Sequence, residues 1–148
     1  MKQQLQFYVD GSYRAKPNKG AYAVLAVSPE GKTLIASGVE LGTSNNKMEM
    51  SAMIAALRAV KEYDLDTHYD IEIFCDSEYV LKGLQEWYPA WVARGYKTAA
   101  GKEVKNRELW DILAPLSKQV NVKLTWVKGH ADTELHNEVD RIVNKLTA

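Results

Sequence analysis

The sequence predicts an α/β fold, a mixed β-sheet with helices on both faces, formed by one domain over residues 1–148. Three observations lead to this prediction. Short apolar segments have the length of strands, longer amphipathic segments have the spacing of helices, and three predicted strands precede a region where helices and strands alternate. A chain of 148 residues can bury one core but is too short for two domains of ordinary size.

The first part of the chain is predicted to be an antiparallel meander. Apolar residues alternate over 5–9, and a second apolar strand covers 21–27. The turn residues of 28–31 separate it from a third strand that begins at Thr33. Connections as short as these join antiparallel neighbours.

The rest of the chain is predicted to alternate helices with strands, because helical spacing and strand-length apolar runs follow one another. The helices cover about 46–63, a segment after Asp76 through Leu84, 109–116, and about 133 to the C-terminus; the strands cover 71–75 and 122–127. Two helices carry a stripe that should be buried, which consists of Met50, Met53, Ile54, Leu57 and Val60 in the first and of Leu135, Val139, Ile142, Val143 and Leu146 in the last. Helical crossovers favour parallel strands and place helices on the sheet faces.

Charge is balanced in number but segregated along the chain. Lysine plus arginine number 19, as do aspartate plus glutamate, so the net charge alone does not indicate a nucleic-acid ligand. Basic and aromatic residues nevertheless concentrate in 87–106, which we expect to form a protruding helix and loop.

The sequence also indicates a compartment. The single cysteine, Cys75, has no partner for an internal disulfide, which favours a reducing environment. No apolar run is long enough for a membrane helix, and the N-terminal segment alternates instead of forming the apolar block of a signal peptide. We therefore expect a cytoplasmic protein that acts as a monomer and does not bind a membrane.

Two predicted strands end in an aspartate followed by small residues. Asp10 comes after Val9, and Asp76 comes after Cys75. If the two strands are parallel neighbours, both carboxylates lie at the carboxyl edge of the sheet, where open α/β sheets bind their ligands. Aspartates also cap turns after strands, but two of them in matching contexts favour a site.

Three further polar residues each have two interpretations. Glu49 lies beside the buried stripe of its helix, where a carboxylate needs a partner or a cation, or it completes a capping box with Asn46 as N-cap. Asp140 lies near the apolar edge of the last helix, where it either belongs to a site or is a solvated acid that pairs with His136 one turn earlier. His130 follows the last strand, where a histidine is either an ordinary loop residue or placed for proton transfer at the same sheet edge.

Four carboxylates without a lysine or arginine among them repel one another unless divalent cations lie between them. Carboxylate oxygens suit Mg²⁺ or Mn²⁺, whereas zinc prefers histidine and cysteine. Two such ions, about 3.5–4 Å apart, can activate a water and stabilise the leaving oxygen of a phosphodiester. Asp10, Glu49, Asp76 and Asp140 are therefore consistent with a site for two Mg²⁺ ions, with Mn²⁺ able to substitute.

Six motifs relate the chain to a family. It resembles ribonuclease H of type 1 along nearly its whole length, and the motifs occur in that family's order. They are Tyr8-Val-Asp-Gly-Ser12, Asn45-Asn-Lys-Met-Glu49, Cys75-Asp-Ser77, Gly95-Tyr-Lys-Thr98, Lys102-Glu-Val-Lys-Asn106 and Trp126-Val-Lys-Gly-His130. The resemblance implies a ribonuclease H-like fold with a five-stranded mixed sheet in the order 3-2-1-4-5.

The resemblance also implies a role for each matching position. The metal-binding carboxylates would be Asp10, Glu49, Asp76 and Asp140, and His130 would assist proton transfer or product release. Ser44 and Asn106 would grip a DNA phosphate, and Asn45 and Asn46 would reach the minor groove near the cut. The remaining substrate contacts would come from the motif residues Gly11 and Ser12 and from the basic protrusion, which contains Trp87, Trp91, Arg94, Tyr96 and Lys97.

The activity implied by the resemblance is endonucleolytic cleavage of the RNA strand of an RNA–DNA hybrid, leaving 5′-phosphate and 3′-hydroxyl ends. The 2′-hydroxyl distinguishes the RNA strand from DNA, and phosphate contacts set the register without reading sequence. The expected partner is therefore an RNA–DNA hybrid.

The chain departs from the family pattern in three places. The loop over 13–17 has lost the usual glycine and asparagine, and Glu78 occupies a substrate-facing position where glutamine is common. The Asn-Glu pair of the last helix is one residue closer to Asp140 than usual. Asp140 keeps its separation of ten residues from His130, so it is the expected ligand and Glu138 the second choice.

Two other functions are compatible with parts of this pattern. A nuclease of the same fold could act on DNA, although the basic stretch over 87–106 and the His130 loop argue against it. A non-catalytic hybrid-binding module is the second, but a binder gains nothing from carboxylates that face phosphates.

Overall fold

The computed structural model describes residues 2–93, 95, 104–127 and 134–148. The strands of this part form one five-stranded sheet. They are β1 (Gln3–Arg14), β2 (Lys19–Val27), β3 (Thr33–Leu41), β4 (Tyr69–Cys75) and β5 (Val122–Trp126). The helices are α1 (Asn45–Glu62), α2 (Leu65–His68), α3 (Glu78–Lys82), α4 (Tyr88–Ala93), α5 (Arg107–Gln119) and α6 (Glu134–Leu146), and a π-helical segment, Gly83–Trp87, joins α3 to α4.

The strand order is β3-β2-β1-β4-β5. The meander β1-β2-β3 is antiparallel, whereas β4 pairs in parallel with both β1 and β5. The mixed sheet and its order are therefore confirmed. Crossovers through helices account for the parallel half, because parallel neighbours cannot be joined by a tight turn.

Successive side chains of β1 point to opposite faces of the sheet, and each face has its own hydrophobic core. Leu5, Phe7 and Val9 belong to the larger core, which α1 and α5 cover. Tyr8 points to the other face, where α6 packs on β1 and β2 through Val139 and other residues of its stripe. Helices thus lie on both faces, as predicted.

Helix α1 confirms its predicted stripe and corrects its predicted cap. Met50, Met53, Ile54, Leu57 and Val60 are all buried. The N-cap, however, is Ser44, whose hydroxyl accepts a hydrogen bond from the backbone nitrogen of Lys47 at 3.1 Å. The capping box with Asn46 as N-cap was therefore wrong. The extended backbone at Ser44 lets its short hydroxyl reach the first turn, which leaves Asn46 inside the helix.

The chain after Asp76 also differs from the predicted helix through Leu84. It runs as α3, the π-helical segment and α4, and Gly83 lies where the π-helical segment begins. A Cβ atom at Gly83 would lie 2.0 Å from Cη2 of Trp110, so glycine permits the close packing of α5. Of the predicted protrusion, the helical part up to Ala93 is described; Arg94 and residues 96–103 lie outside the described residues.

Other boundaries shift by a few residues, as expected because helix ends fray and sequence patterns do not mark exact boundaries. Helix α5 is longer than the predicted 109–116, and the four-residue α2 was not predicted, because it is too short to show helical periodicity. The predicted start of the last helix at Thr133 lies outside the described residues. No helix in the described ranges combines the length and the apolar character needed to cross a membrane.

Candidate active site

The sheet places Asp10 and Asp76 side by side. Val9 of β1 is in register with Cys75 of β4, and each of these residues is followed by its aspartate. The parallel pairing of β1 with β4 ends at these two residues, so both carboxylates lie side by side where it ends. The prediction that the first strand ends at Val9 was wrong, because β1 stays paired with β2 as far as Arg14. Asp10 is only 4% exposed, and one of its oxygens accepts a hydrogen bond from the backbone nitrogen of Gly11 at 2.9 Å.

Gly11 lets α1 bring Glu49 to the same edge. A Cβ atom on Gly11 would lie 2.2 Å from the carbonyl carbon of Met48 and 2.4 Å from the backbone nitrogen of Glu49. Burial, followed by the charges of Asp76 and Asp10, raises the pKa of Glu49 well above its usual range. The three carboxylates therefore share one electrostatic environment.

Helix α6 adds Asp140 to this group. Burial, the charge of Asp76, and then a hydrogen bond and the charge of Asp140 raise the pKa of Asp10 to about 8. The other oxygen contact of Asp140 is with Asn144, whose Nδ2 donates to Oδ2 at 3.1 Å. Glu138, the second choice from the sequence, instead pairs with Arg141 at 2.9 Å on the more exposed side of the helix. The geometry therefore favours Asp140 over Glu138 as the fourth carboxylate.

Several buried polar atoms at this edge have no hydrogen-bond partner among the described residues. They are Oε2 of Glu49, Oδ1 of Asp76, and both ring nitrogens of His136. Buried polar atoms are almost always paired, so the unpaired carboxylate oxygens of Glu49 and Asp76 indicate a missing positive ligand. Carboxylate oxygens are the donors that Mg²⁺ and Mn²⁺ take, and a divalent cation would also relieve the repulsion among the acids. The residues present thus fit divalent cations.

His136 is a site residue that the sequence interpretation missed. The expected pair with Asp140 is not its main contact: Nε2 of His136 lies 3.3 Å from Oδ2 of Asp76, and the ring packs edge-on against Tyr8. Burial disfavours the charged ring, but the neighbouring carboxylates, Asp76 foremost, outweigh it and raise the pKa of His136. Its spacing from Val139 and Val143 was the available signal, because it places His136 on the buried stripe of α6.

Cys75 lies beside the carboxylates but does not have the properties of a nucleophile. It is buried, and burial followed by the charge of Glu49 raises the pKa of its thiol. Since the thiolate is the reactive form, this position is unsuited to thiol chemistry at neutral pH.

The start of α1 carries the residues expected to contact nucleic acid. Asn45 and Asn46 are exposed, and Oδ1 of Asn45 accepts a hydrogen bond from the backbone nitrogen of Tyr13 at 2.6 Å. Ser44 caps the helix through a hydrogen bond that its hydroxyl oxygen accepts. Ser12 is partly exposed two residues beyond Asp10. The contact between Asn45 and Tyr13 anchors the altered 13–17 loop to this surface.

Trp87 and Trp91 belong to an aromatic cluster with Tyr79 and Trp110. Neighbouring ring centroids in the cluster lie 5.4–6.1 Å apart. Asn106 and the Trp110 indole both donate to the hydroxyl of Tyr79 at 3.3 Å. The two tryptophans are only partly exposed, so they stabilise the junction between α4 and α5 as well as presenting edges to solvent.

Glu78 lies on the surface at the start of α3. Ser77 caps this helix by accepting from the backbone nitrogen of Val80, and Glu78 pairs with Lys82 at 3.6 Å. An acid in the first turn complements the helix dipole. This arrangement gives Glu78 a local structural role, and its contact with the substrate stays a prediction. Arg94, Tyr96, Lys97 and His130 lie outside the described residues.

Comparison with known proteins adds an independent line of support. A sequence model of the RNase H family matches residues 2–147. The Ribonuclease H of Cupriavidus pinatubonensis is 39% identical over 147 residues, which is 99% of this chain and 97% of the relative.

Two solved structures show the same fold. LC9-RNase H1, described as a type 1 RNase H with the type 2 active-site motif, matches 98% of this chain and 72% of its own with a TM-score of 0.79 and 25% identity. The foamy viral protease-reverse transcriptase in complex with an RNA/DNA hybrid matches 97% of this chain and 20% of its own, with a TM-score of 0.77 and 18% identity. Sequence, fold and the clustered carboxylates therefore agree, and the chain belongs to the ribonuclease H family of enzymes.

Proposed function

We propose that this enzyme cleaves the RNA strand of RNA–DNA hybrids internally, with two divalent cations, and leaves 5′-phosphate and 3′-hydroxyl ends. The observation that carries the proposal is the convergence of Asp10, Glu49 and Asp76 on one sheet edge, with unpaired oxygens on Glu49 and Asp76. Family membership supports the substrate class.

The carboxylates are proposed to hold the cations, Mg²⁺ or in its place Mn²⁺. When bound, such ions lower the pKa of a water and stabilise the leaving oxygen of the phosphodiester. Asp10 and Asp76 project from rigid parallel strands, and Glu49 and Asp140 approach from α1 and α6 on opposite faces of the sheet. Four acids held by separate elements position their oxygens with little conformational freedom, which favours a fixed geometry at the reacting phosphate.

The surface beside these acids is proposed to bind the hybrid. Asn45 and Asn46 are exposed at the start of α1, where their amides can donate and accept hydrogen bonds with sugar or base edges. Ser12, Ser44 and Asn106 would add contacts to the sugar-phosphate backbone of the hybrid. The 2′-hydroxyl would identify the RNA strand. Within the protrusion, Trp87 and Trp91 would contribute aromatic edges, and Arg94, Tyr96 and Lys97 would follow the DNA strand. His130 is proposed to move a proton during turnover or product release.

Two broader expectations accompany this proposal. A single ribonuclease H domain over residues 1–148 would suffice for activity as a monomer. The buried, unpaired Cys75 is compatible with the cytoplasmic location that the sequence suggested.

The proposal is tested with labelled duplexes of one sequence: RNA–DNA hybrid, duplex DNA and duplex RNA. Each is incubated with Mg²⁺, with Mn²⁺ or with EDTA. We expect cuts only in the RNA strand of the hybrid, only with metal, and products that a ligase joins without prior end repair.

A matched variant separates the alternatives. Asp10→Asn keeps the size of the side chain and should abolish cleavage while the folded protein still binds the hybrid. Cleavage of duplex DNA by the native enzyme would favour the DNA nuclease. Hybrid binding with no cleavage under any metal condition would favour the binding module.

A further inference from the structure

His136 is a buried polar residue with no role in the proposed reaction. It lies on the buried stripe of α6 and is only 2% exposed. Neither ring nitrogen has a hydrogen bond of good geometry among the described residues. An imidazole buried in this way has lost its contacts with water, and a nearby carboxylate alone replaces them only in part, which is costly. Its environment therefore indicates a ligand for the ring.

The ring faces the carboxylates. Nε2 of His136 lies 3.3 Å from Oδ2 of Asp76, a distance that an ion pair permits. One ligand atom each from Asp10, Asp76 and His136 all lie within 4.8 Å of one another. Metal–nitrogen and metal–oxygen bonds are about 2.0–2.2 Å long, so small side-chain adjustments bring these three atoms to a common cation.

The neighbouring contacts restrict where the ring can turn. Tyr8 packs edge-on against the imidazole, with ring centroids 6.5 Å apart, and Tyr8 is itself stacked on Phe74. Val139 and Val143 bury the same stripe of α6. A ring held by this packing keeps Nε2 directed at Asp76, which is the preorganisation that a metal ligand needs.

We propose that Nε2 of His136 is a nitrogen ligand of the cation that Asp10 and Asp76 hold, and that it makes the site favour transition-metal ions over Mg²⁺. The inference rests on the metal site of the proposed function. Mg²⁺ binds almost entirely through oxygen, whereas imidazole nitrogen suits first-row transition metals. The consequence is a preference that an all-carboxylate site of the same shape would lack.

The test uses Mn²⁺ bound to the folded enzyme without substrate. Pulsed electron paramagnetic resonance detects a ¹⁴N nucleus bonded directly to Mn²⁺, so it reports coordination independently of activity. The chain has three histidines, His68, His130 and His136. In the double variant His68→Asn/His130→Asn, His136 is the only imidazole left, and it does not itself have to be replaced.

We expect the ¹⁴N coupling in the native enzyme and in the double variant, and its loss in His136→Asn. Calorimetric titration should show that His136→Asn weakens Co²⁺ binding by at least about tenfold, since even the loss of an outer partner of a metal ligand costs about 10–100-fold. Mg²⁺ affinity should change much less. Thermal unfolding of each variant in EDTA verifies that it is folded.

Two results would overturn the inference, and they are distinguishable from failure of the proposed function. If Mn²⁺ binds the double variant without ¹⁴N coupling, His136 does not coordinate the ion and only donates a hydrogen bond to Asp76. Equal losses of Co²⁺ and Mg²⁺ affinity in His136→Asn show a structural role alone. Hybrid cleavage by the native enzyme would persist in both cases, whereas native enzyme that neither binds Mn²⁺ nor cleaves the hybrid overturns the metal site as a whole.

Discussion

Gly11 of β1 lies directly against the first part of α1, where a Cβ atom on it would stand 2.4 Å from the backbone nitrogen of Glu49. This close approach lets a carboxylate on a helix join two carboxylates on strands. The atoms it would meet belong to the backbone, so no side-chain rotation relieves the collision. The position of Glu49 therefore depends on a residue that carries no functional group.

Replacing Gly11 with alanine should consequently destabilise the fold and weaken metal binding together. We expect a loss of about 1–3 kcal/mol in the free energy of unfolding, typical of an overpacked core, measured by urea denaturation in EDTA. Gly38→Ala is the comparison, because its Cβ would meet the side chain of Tyr22 and not the backbone of α1. It should leave Mn²⁺ affinity unchanged. Native stability in Gly11→Ala would show that α1 can shift freely.

The raised pKa of Asp10 predicts a stability that depends on pH when metal is absent. The pKa of Asp10 is about 8 in the folded protein against an ordinary value of 3.8. Between these values the folded state keeps a proton that the unfolded state has lost, so stability falls as pH rises through this window. Asp10→Asn removes this effect. Its free energy of unfolding should therefore exceed that of the native enzyme by an amount on the order of 1–3 kcal/mol near the top of the window.

Urea denaturation in EDTA across this pH range measures the effect. Asp70→Asn, which changes an exposed aspartate of β4, serves as the control. Its difference in stability from the native enzyme should not increase with pH. A constant difference between Asp10→Asn and the native enzyme at every pH would mean that Asp10 ionises normally in the fold.

The choice between Asp140 and Glu138 is tested by a pair of conservative variants on one helix. Asp140 contacts Asp10, whereas Glu138 pairs with Arg141 near the surface. Asp140→Asn should lower hybrid cleavage at saturating metal by about tenfold to hundredfold or more, the loss seen even for groups that only support a metal ligand. Glu138→Gln should cleave at close to the native rate. If Glu138→Gln lost more cleavage activity than Asp140→Asn, Glu138 would be the fourth ligand.

His130→Ala should slow cleavage without stopping it. General acid–base groups contribute roughly 10²–10⁴-fold, whereas the metal ions carry the central chemistry. Single-turnover and steady-state rates measured together distinguish a slow chemical step from slow product release. His68→Ala, on the short helix α2, is the matched histidine control. A loss as complete as that of Asp10→Asn would mean that His130 has a different role from proton transfer or release.

The sequence by itself determined the order of strands and helices and the buried stripe of α1. It also anticipated that Asp10 and Asp76 follow apolar segments of neighbouring strands, although β1 continues past Asp10 to Arg14. These features are local, since periodicity records which residues are buried and where an apolar segment gives way to polar residues. The register of Val9 with Cys75 places the two aspartates next to each other.

Only the tertiary structure decided what lies opposite each buried face. Local spacing allowed a pair between His136 and Asp140 on one helix, but packing of α6 across the sheet places His136 beside Asp76. Likewise, local spacing allowed Asn46 as the N-cap, but the extended backbone at Ser44 lets the Ser44 hydroxyl cap the helix instead. Periodicity along one element cannot identify partners from another, because these contacts depend on how distant segments pack together.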